Sequence, residues 1–587
     1  MRNSKILKCI MKYMPLYVVM LLVMFIQRYF ASLTGLFIGE VLGLLNGEES
    51  ILPNVISRFV NNDSMKDKIV SMAIIYVVVT SISIFSSFLM RTLRVIHYQK
   101  LYIGLSEAFY SHVIDIPRSE YANRSTGDII QRNIEDCRRI PQLFRNSLYE
   151  LFKIVFTIGT LLMQLFLLNK TIFAVSCVAV TICISFSGYY GYFKIKKKEI
   201  ASSKYYSELN STIQQSITNY SLVKSFANEE YEYNKFKEIN DKKENNNYYI
   251  HSLRCKYWLI SDTITSIYII SCLSILAYLF FNGSVTLAVV SAAAVITSGF
   301  LNEGTQLINH ITTFVRTFIS IRRLNEYFNI ESEYKEDGNI EKEIEGNIIF
   351  KDVNMKYEKE YVLKDLNFEL KAGETLGIVG KSGSGKTSIV NLLTRLDDYE
   401  SGSITIDGVE LKEYKKKCIR DNIGVVLQDA YIFSKTIKEN LLVLIDNDRI
   451  DLDMYLQRVG LDEDINKFDS GLETVVGERG VTLSGGQRQR ISLLRTIMKN
   501  KKILILDDTL SAVDNIVARK IKDSISKEKA TTIIISHNLL NVKDADKIIV
   551  LDEGRIADIG THEELITREG FYSNVWKLQQ MIEEVQE

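Results

Sequence analysis

Proline is scarce in this chain. There are 4 in 587 residues, and Pro15, Pro53, Pro117 and Pro141 all lie before residue 142. Net charge is absent too, with 71 Lys+Arg against 71 Asp+Glu, so the basic surplus that marks nucleic-acid binding is missing and no nucleic-acid partner is expected. The 7 cysteines are scattered and no C-x-x-C pair occurs, which argues against a metal site or a disulfide framework and for reduced structural thiols. Arg2, Lys5, Lys8 and Lys12 precede an apolar run, but no small-residue cleavage site follows at a signal-peptide distance, so the run reads as an uncleaved first span. No peptidase domain precedes it, so self-processing of a leader peptide is not expected.

What the chain has in abundance is apolar residues, 47% overall and unevenly placed. Uncharged apolar runs crowd the first 310 residues, and charge dominates the rest. A run of roughly 18 or more apolar residues can cross a bilayer as a helix. Residues 70–90 and 171–193 meet that directly. The stretch 263–302 is twice as long and carries Asn282-Gly283-Ser284 at its middle, a turn signal that divides it into two helices. The predicted membrane domain, 1–330, thus has six spans at about 15–45, 70–90, 148–169, 171–193, 259–281 and 285–308. Arg28 and Glu40 fall inside the first. A charge within a span is costly and often lines a pathway, although a long tilted first helix with one charge near an interface also accommodates them.

Basic residues set the orientation. The N-terminal cluster, Arg91/Arg94/Lys100 and Lys194/Lys196/Lys197/Lys198 belong inside, which with an even number of spans places both termini in the cytoplasm. The two inner connections, about 91–147 and 194–257, lack Gly and Pro over long stretches and read as helical arms projecting roughly 40 Å below the membrane. The abundance of Lys, Ile and Asn suggests an AT-rich bacterial genome, hence a bacterial cytoplasmic membrane.

After a polar linker, 331–345, the pattern changes to short apolar strands alternating with helices, an α/β domain over 346–587. A strand at 375–379 runs into Gly380-Lys381-Ser382-Gly383-Ser384-Gly385-Lys386-Thr387, and a helix opens at Ser388. This is G-x-x-x-x-G-K-[ST] in its strand–loop–helix context. Backbone N–H groups of such a loop close around phosphate oxygens, Lys386 reaches the β/γ-phosphates, and Thr387 offers a hydroxyl to Mg²⁺. Later, Ile503-Leu504-Ile505-Leu506 ends in Asp507, a buried-strand run delivering a carboxylate to the same ion. Together these identify an NTP-binding P-loop domain.

Leu483-Ser484-Gly485-Gly486-Gln487 narrows the class, because here the chain resembles the ATP-binding cassette (ABC) family. The resemblance covers essentially the whole chain, since six spans followed by one cassette is the layout of an exporter half-transporter of the type IV architecture. It implies an adenine-stacking role for Tyr357, the Q-loop and Mg²⁺-ligand role for Gln428, an X-loop at Gly477-Glu478-Arg479-Gly480, a D-loop at Ser511-Ala512-Val513-Asp514, and the switch histidine in His537. Residues 121–140, with Thr126-Gly127-Asp128, resemble the first coupling segment. The resemblance further implies ATP sandwiched between two cassettes. Gly380, Ser382, Gly383, Ser384, Gly385, Lys386, Thr387 and Ser388 would hold one nucleotide, while Leu483, Ser484, Gly485, Gly486 and Gln487 serve the nucleotide of a second half-transporter.

One residue departs from the family. Glutamate is its consensus after the strand-terminal aspartate, and this chain has Asp508. The shorter side chain withdraws the carboxylate by about 1 Å, a displacement that can cost on the order of 100-fold in rate. The expectation is therefore a slow own site in a heterodimeric exporter of an amphipathic compound, lipid or peptide, hydrolysing ATP with Asp508, His537 and Gln428 as the catalytic set. A slow homodimer and an ATP-gated, non-pumping channel or sensor component are the alternatives. Smaller departures are Leu494-Arg495-Thr496 after the signature, and Gln215 and Asn219 in the second inner loop.

Overall fold

The computed structural model describes residues 5–52, 57–58, 60, 64–122, 124–299, 307–335, 337–357, 360–443, 451–477, 483–512, 515–527 and 529–586. The chain forms two compact units: Met1–Ile114 with Arg124–Glu331, and Asp115–Asn123 with Ser332–Glu587.

The first unit is helical. Among the described residues, Lys5–Leu45, Met65–Ile114, Thr126–Leu168 and Glu229–Phe281 are long and apolar enough to cross a membrane, and Lys170–Phe186 and Leu287–Ser298 are shorter apolar helices. These six stretches overlap the six expected spans with different bounds. The first helix starts at Lys5 rather than Pro15, because a turn with Tyr17, Met20 and Met24 buried against Leu101, Leu105 and Phe109 outweighs the one backbone hydrogen bond that Pro15 removes. It breaks at Leu33 and resumes as Thr34–Leu45. Met65–Ile114 and Glu229–Phe281, of 50 and 53 residues, continue as unbroken helices about 75–80 Å long. The second of these stops at Asn282, and Gly283 turns the chain at φ +70°. Of the expected sixth span, residues 300–306 lie outside the described residues.

Small residues let two of these helices meet. A Cβ on Gly39 would sit 2.6 Å from both the Ala288 carbonyl oxygen and the Ala292 Cβ, so Thr34–Leu45 and Leu287–Ser298 touch through backbone, as small-residue faces allow in membranes. Glu48 caps the latter helix by accepting from the N–H groups of Leu287 (2.9 Å) and Ala288 (2.8 Å). Further along, buried Glu199 accepts from Arg254 (3.0 Å) and Arg316 (2.9 Å), joining three helices through one carboxylate.

The second unit is α/β. Strands β1 (Ile348–Tyr357), β2 (Glu360–Leu370), β4 (Ser401–Ile406) and β5 (Val409–Glu410) form an antiparallel sheet in the order β2-β1-β4-β5. Strands β3 (Thr375–Gly380), β6 (Ile423–Val426), β7 (Ile503–Asp507), β8 (Thr531–Ile535), β9 (Lys547–Asp552) and β10 (Arg555–Gly560) form the second, in the order β10-β9-β3-β8-β7-β6. All its pairings are parallel except β9–β10. One apolar core lies between the sheets, around Phe350, Ile378 and Ile505; the other joins the second sheet to helices, around Leu494, Leu506 and Ile521. Residues 332–335 and 337–345, within the stretch expected as a linker, belong to this unit. Glu333 pairs with Arg420 (2.9 Å), Asp337 with Arg395 (3.2 Å), and Ile344 is fully buried. Its charges find arginines of opposite sign, which a polar composition alone did not reveal.

Candidate ATP site

Strand β3, buried from Leu376 onward and flanked by β8 and β9, ends at Gly380 in the middle of its sheet, where a crevice forms beyond the carboxyl ends of parallel strands. The loop that follows bends through Gly385 at φ +101°, where a Cβ would also lie 2.7 Å from Leu363 Cδ2, so a side chain is excluded on two counts. Gly385 then caps the helix Lys386–Leu393, whose N-terminus faces the crevice. Lys386 Nζ donates to the carbonyls of Gly380 (2.8 Å) and Lys381 (2.7 Å), which holds it at the loop. Ser384 is buried and its Oγ has no partner among the described residues. Ser382 and Gly383 are exposed at the loop tip, while Ser388 is buried in the first helical turn.

Adjacent β7 delivers Asp507 to the same crevice. Its Oδ2 accepts from Thr387 Oγ1 at 3.2 Å, so hydroxyl and carboxylate meet at one point. Burial pushes the Asp507 carboxyl above the ordinary aspartate range, against the Thr387 hydrogen bond, and holds the Lys386 ammonium below the usual lysine value. A site made of a desolvated ammonium, a buried unpartnered hydroxyl, a helix N-terminus and a hydroxyl–carboxylate pair fits a polyphosphate with a divalent cation. Thr387 and Asp507 would hold that Mg²⁺, which would supply positive charge against the charge developing on the phosphates.

Around this centre the structure brings Gln428 and His537 to Asp508. The Asp508 backbone adopts φ +49°, a left-handed conformation that aspartate tolerates better than most residues. Its N–H donates to the Ile535 carbonyl at the end of β8 (2.9 Å). Its Oδ1 accepts from Ser511 Oγ and, at 3.5 Å, from the His537 backbone N–H, while Gln428 Nε2 stands 3.5 Å from Oδ2. The carboxylate is thus drawn back onto its own turn. His537 is exposed, and its carbonyl accepts from Gln579 (3.2 Å).

Tyr357, at the end of β1, is half exposed. Its hydroxyl donates to Asp397 (2.7 Å) and accepts from Asn391 of the P-loop helix (3.2 Å). Asp397 also pairs with Arg118 of the short helix Arg118–Ala122 at 3.3 Å. No motif in the sequence marked Asp397, because its role comes only from where β1 and the P-loop helix leave it.

The signature residues form a separate feature. Leu483 is buried, while Ser484 and Gly485 are exposed at the start of the helix Gly485–Ile497. Ser484 Oγ accepts from the Gln487 N–H (3.2 Å), and Gln487 Oε1 accepts from the Ser484 N–H (2.9 Å). This reciprocal cap leaves the amides of Gly485 and Gly486, which have no intrahelical acceptor, at an open positive helix end. Residues 478–480 of the expected X-loop and 513–514 of the expected D-loop lie outside the described residues.

Comparison with known proteins agrees with this arrangement. Residues 18–303 match the ABC transporter transmembrane region, and residues 363–511 match the ABC transporter family of ATP-binding domains. YgaD of Bacillus subtilis (strain 168), carried under the name multidrug export ATP-binding/permease protein, is 30% identical over 82% of this chain and 84% of its own length. The ATP-dependent lipid A-core flippase of Idiomarina loihiensis is 29% identical over 82% and 83%. The fold matches a bacterial Atm1-family ABC exporter solved with ATP bound, with a TM-score of 0.81 over 97% of this chain and 98% of that one, at 22% identity. The chain therefore belongs to the ABC exporters, a helical transmembrane domain followed by an ATP-binding cassette, and is homologous to the multidrug export ATP-binding/permease half-transporters.

Proposed function

We propose that this chain is one half of a heterodimeric exporter in a bacterial cytoplasmic membrane, with both termini and the cassette in the cytoplasm, and that its own ATP site turns over slowly. The observation that carries the reading is Asp508, whose short carboxylate is held by Ser511 and the His537 backbone within its own turn. From there it reaches less far toward an attacking water than a glutamate would. Tyr357 stacks on adenine, Gly380 and residues Ser382–Ser388 bind the phosphates, and Thr387, Asp507 and Gln428 hold Mg²⁺. Gln428, His537 and Asp508 form the hydrolytic centre, in which the withdrawn Asp508 carboxylate contributes little.

The capped helix start at Ser484, Gly485 and Gly486 serves the ATP held by the second subunit, so that nucleotide joins the two cassettes and hydrolysis parts them. Closure then drives alternation of the membrane pathway. The cargo is an amphipathic small molecule, lipid or peptide, in keeping with the names of the multidrug-export and lipid-flippase relatives.

The test is ATPase activity of the purified chain alone and together with a second half-transporter encoded beside it, followed by ATP-driven uptake of a fluorescent amphiphile into inside-out vesicles. Low activity alone, high activity in the pair and uphill accumulation are expected. Full activity from the lone chain would overturn the heterodimer, and ATP turnover without accumulation would favour a gated, non-pumping role.

A further inference from the structure

Of the two charges in the first span, the structure accounts for Glu40. It is buried and accepts from the Ile51 N–H at 2.7 Å, which ties the helix to the following loop. Arg28 is different. Among the described residues it forms no ion pair, and its Nε is buried without an acceptor. It lies about 24 Å along the helix from Lys12, within a hydrocarbon layer of about 30 Å and nearer its far side.

The face on which Arg28 sits follows from its neighbours one turn away. Phe25 meets Phe156 edge to face, with ring centroids 5.5 Å apart, and Ser32 accepts from Gln164 Nε2 at 2.7 Å. Both partners belong to the helix Tyr149–Leu168, so Arg28 faces the stretch between them, level with buried Thr160. Gln164 is 4% exposed, yet its Oε1 has no donor among the described residues. On the adjoining face Gln27 reaches Ser83 at 3.4 Å, and its Oε1 is likewise buried without a donor.

Among the described residues, an arginine whose buried Nε lacks an acceptor and two buried amide oxygens that lack donors therefore occupy neighbouring positions along the first helix and the helix packed on it. Each is costly if it stays unsatisfied there. A guanidinium is built for bidentate recognition of carboxylate or phosphate, and the amide oxygens call for an N–H or O–H beside that acid.

We infer that Arg28, Gln164 and Gln27 form the head-group site for the cargo. The cargo class is an amphipathic oxyanion, a carboxylate or phosphate with a neighbouring hydrogen-bond donor, whose apolar body lies against Phe25 and Phe156. The inference rests on the exporter reading and specifies its substrate.

The test uses the full chain, with its second subunit if it needs one, in phosphatidylcholine nanodiscs. Two fluorescent amphiphiles with one tail are compared, one with a phosphate head and one with a trimethylammonium head. Wild type should bind the phosphate form at least tenfold tighter. Arg28→Gln should abolish that preference while leaving the cationic form unchanged, Arg28→Lys should keep part of it, and Gln164→Leu should weaken the phosphate form severalfold.

Competition by added phosphatidylglycerol would identify a bilayer lipid as the source of the oxyanion; its absence would identify a free amphiphile. Equal affinity of wild type for both heads would overturn the inference, as would an Arg28→Gln variant that only loses thermal stability or weakens both heads alike. ATP-driven accumulation of amphiphiles regardless of head charge would sink this site and leave the exporter reading standing. Failure of all accumulation would sink the exporter reading itself.

Discussion

Replacing Asp508 by glutamate should speed this chain's own site. The wild-type carboxylate is held at Oδ1 by Ser511 Oγ and by the His537 N–H at 3.5 Å, with Gln428 Nε2 3.5 Å from Oδ2. One added methylene carries the carboxylate about 1 Å outward, away from Ser511 and toward the phosphate loop. A correction of that size is worth up to about 100-fold in rate, or about 2.7 kcal/mol of barrier. The backbone at φ +49° opposes part of the gain, because glutamate is less at ease than aspartate in the left-handed region, at a cost of about 1 kcal/mol. The net expectation is a 10- to 100-fold rise in phosphate release at saturating Mg-ATP, with a slightly lower thermal midpoint. Asp508→Asn should stay within about twofold of wild type, since the wild-type carboxylate contributes little. Wild-type turnover equal to that of Asp508→Glu, or loss of the site's turnover in Asp508→Asn, would refute the reasoning.

Tyr357→Phe should cost about 1 kcal/mol of cassette stability, the value of the hydroxyl's bonds to Asp397 and Asn391, while ATP affinity measured by titration stays within twofold. Tyr357→Ala should weaken ATP by roughly 5- to 100-fold if the ring is a stacking platform. Because burial raises the Asp507 carboxyl in the fold, the native state binds more protons than the unfolded chain between the ordinary aspartate range and that raised value. The nucleotide-free protein should therefore lose stability as pH rises through that window, and Mg-ATP should stabilise it less as pH falls into the window. Asp507→Asn should flatten the first trend in thermal melts and remove the second. Glu199→Ala should destabilise the membrane domain by about 3 kcal/mol, because Arg254 and Arg316 lose their shared acceptor, whereas Glu199→Gln should cost less. Detergent-phase melting curves separate the two.

Much of this molecule was legible before any coordinates, because its information is local. A phosphate loop must follow a strand and precede a helix, and 375–388 carries all three parts in consecutive residues. A membrane span is announced by an unbroken apolar run, so the six apolar stretches could be located, though not their ends. Met65–Ile114 runs far beyond residue 90 because a helix does not stop where the bilayer does, and no proline stands before Pro117 to stop it. The Gly39 face that admits Ala288 and Ala292 is not legible in the sequence, since a glycine spacing gains meaning only when a second helix closes on it.

The sequence by itself determined the phosphate-loop and signature motifs, the family they point to, and the aspartate that departs from the family's consensus. All of these are written within short segments whose chemistry depends on neighbours in the chain. Tertiary structure alone decided that Asp508 is drawn back by Ser511 and His537, that Asp397 joins Tyr357 to Arg118, and that Glu40 has a partner while, among the described residues, the buried Arg28 Nε has none. The reason is physical. Whether a charge is satisfied depends on groups tens to hundreds of residues away, and only packing brings those groups within hydrogen-bonding distance.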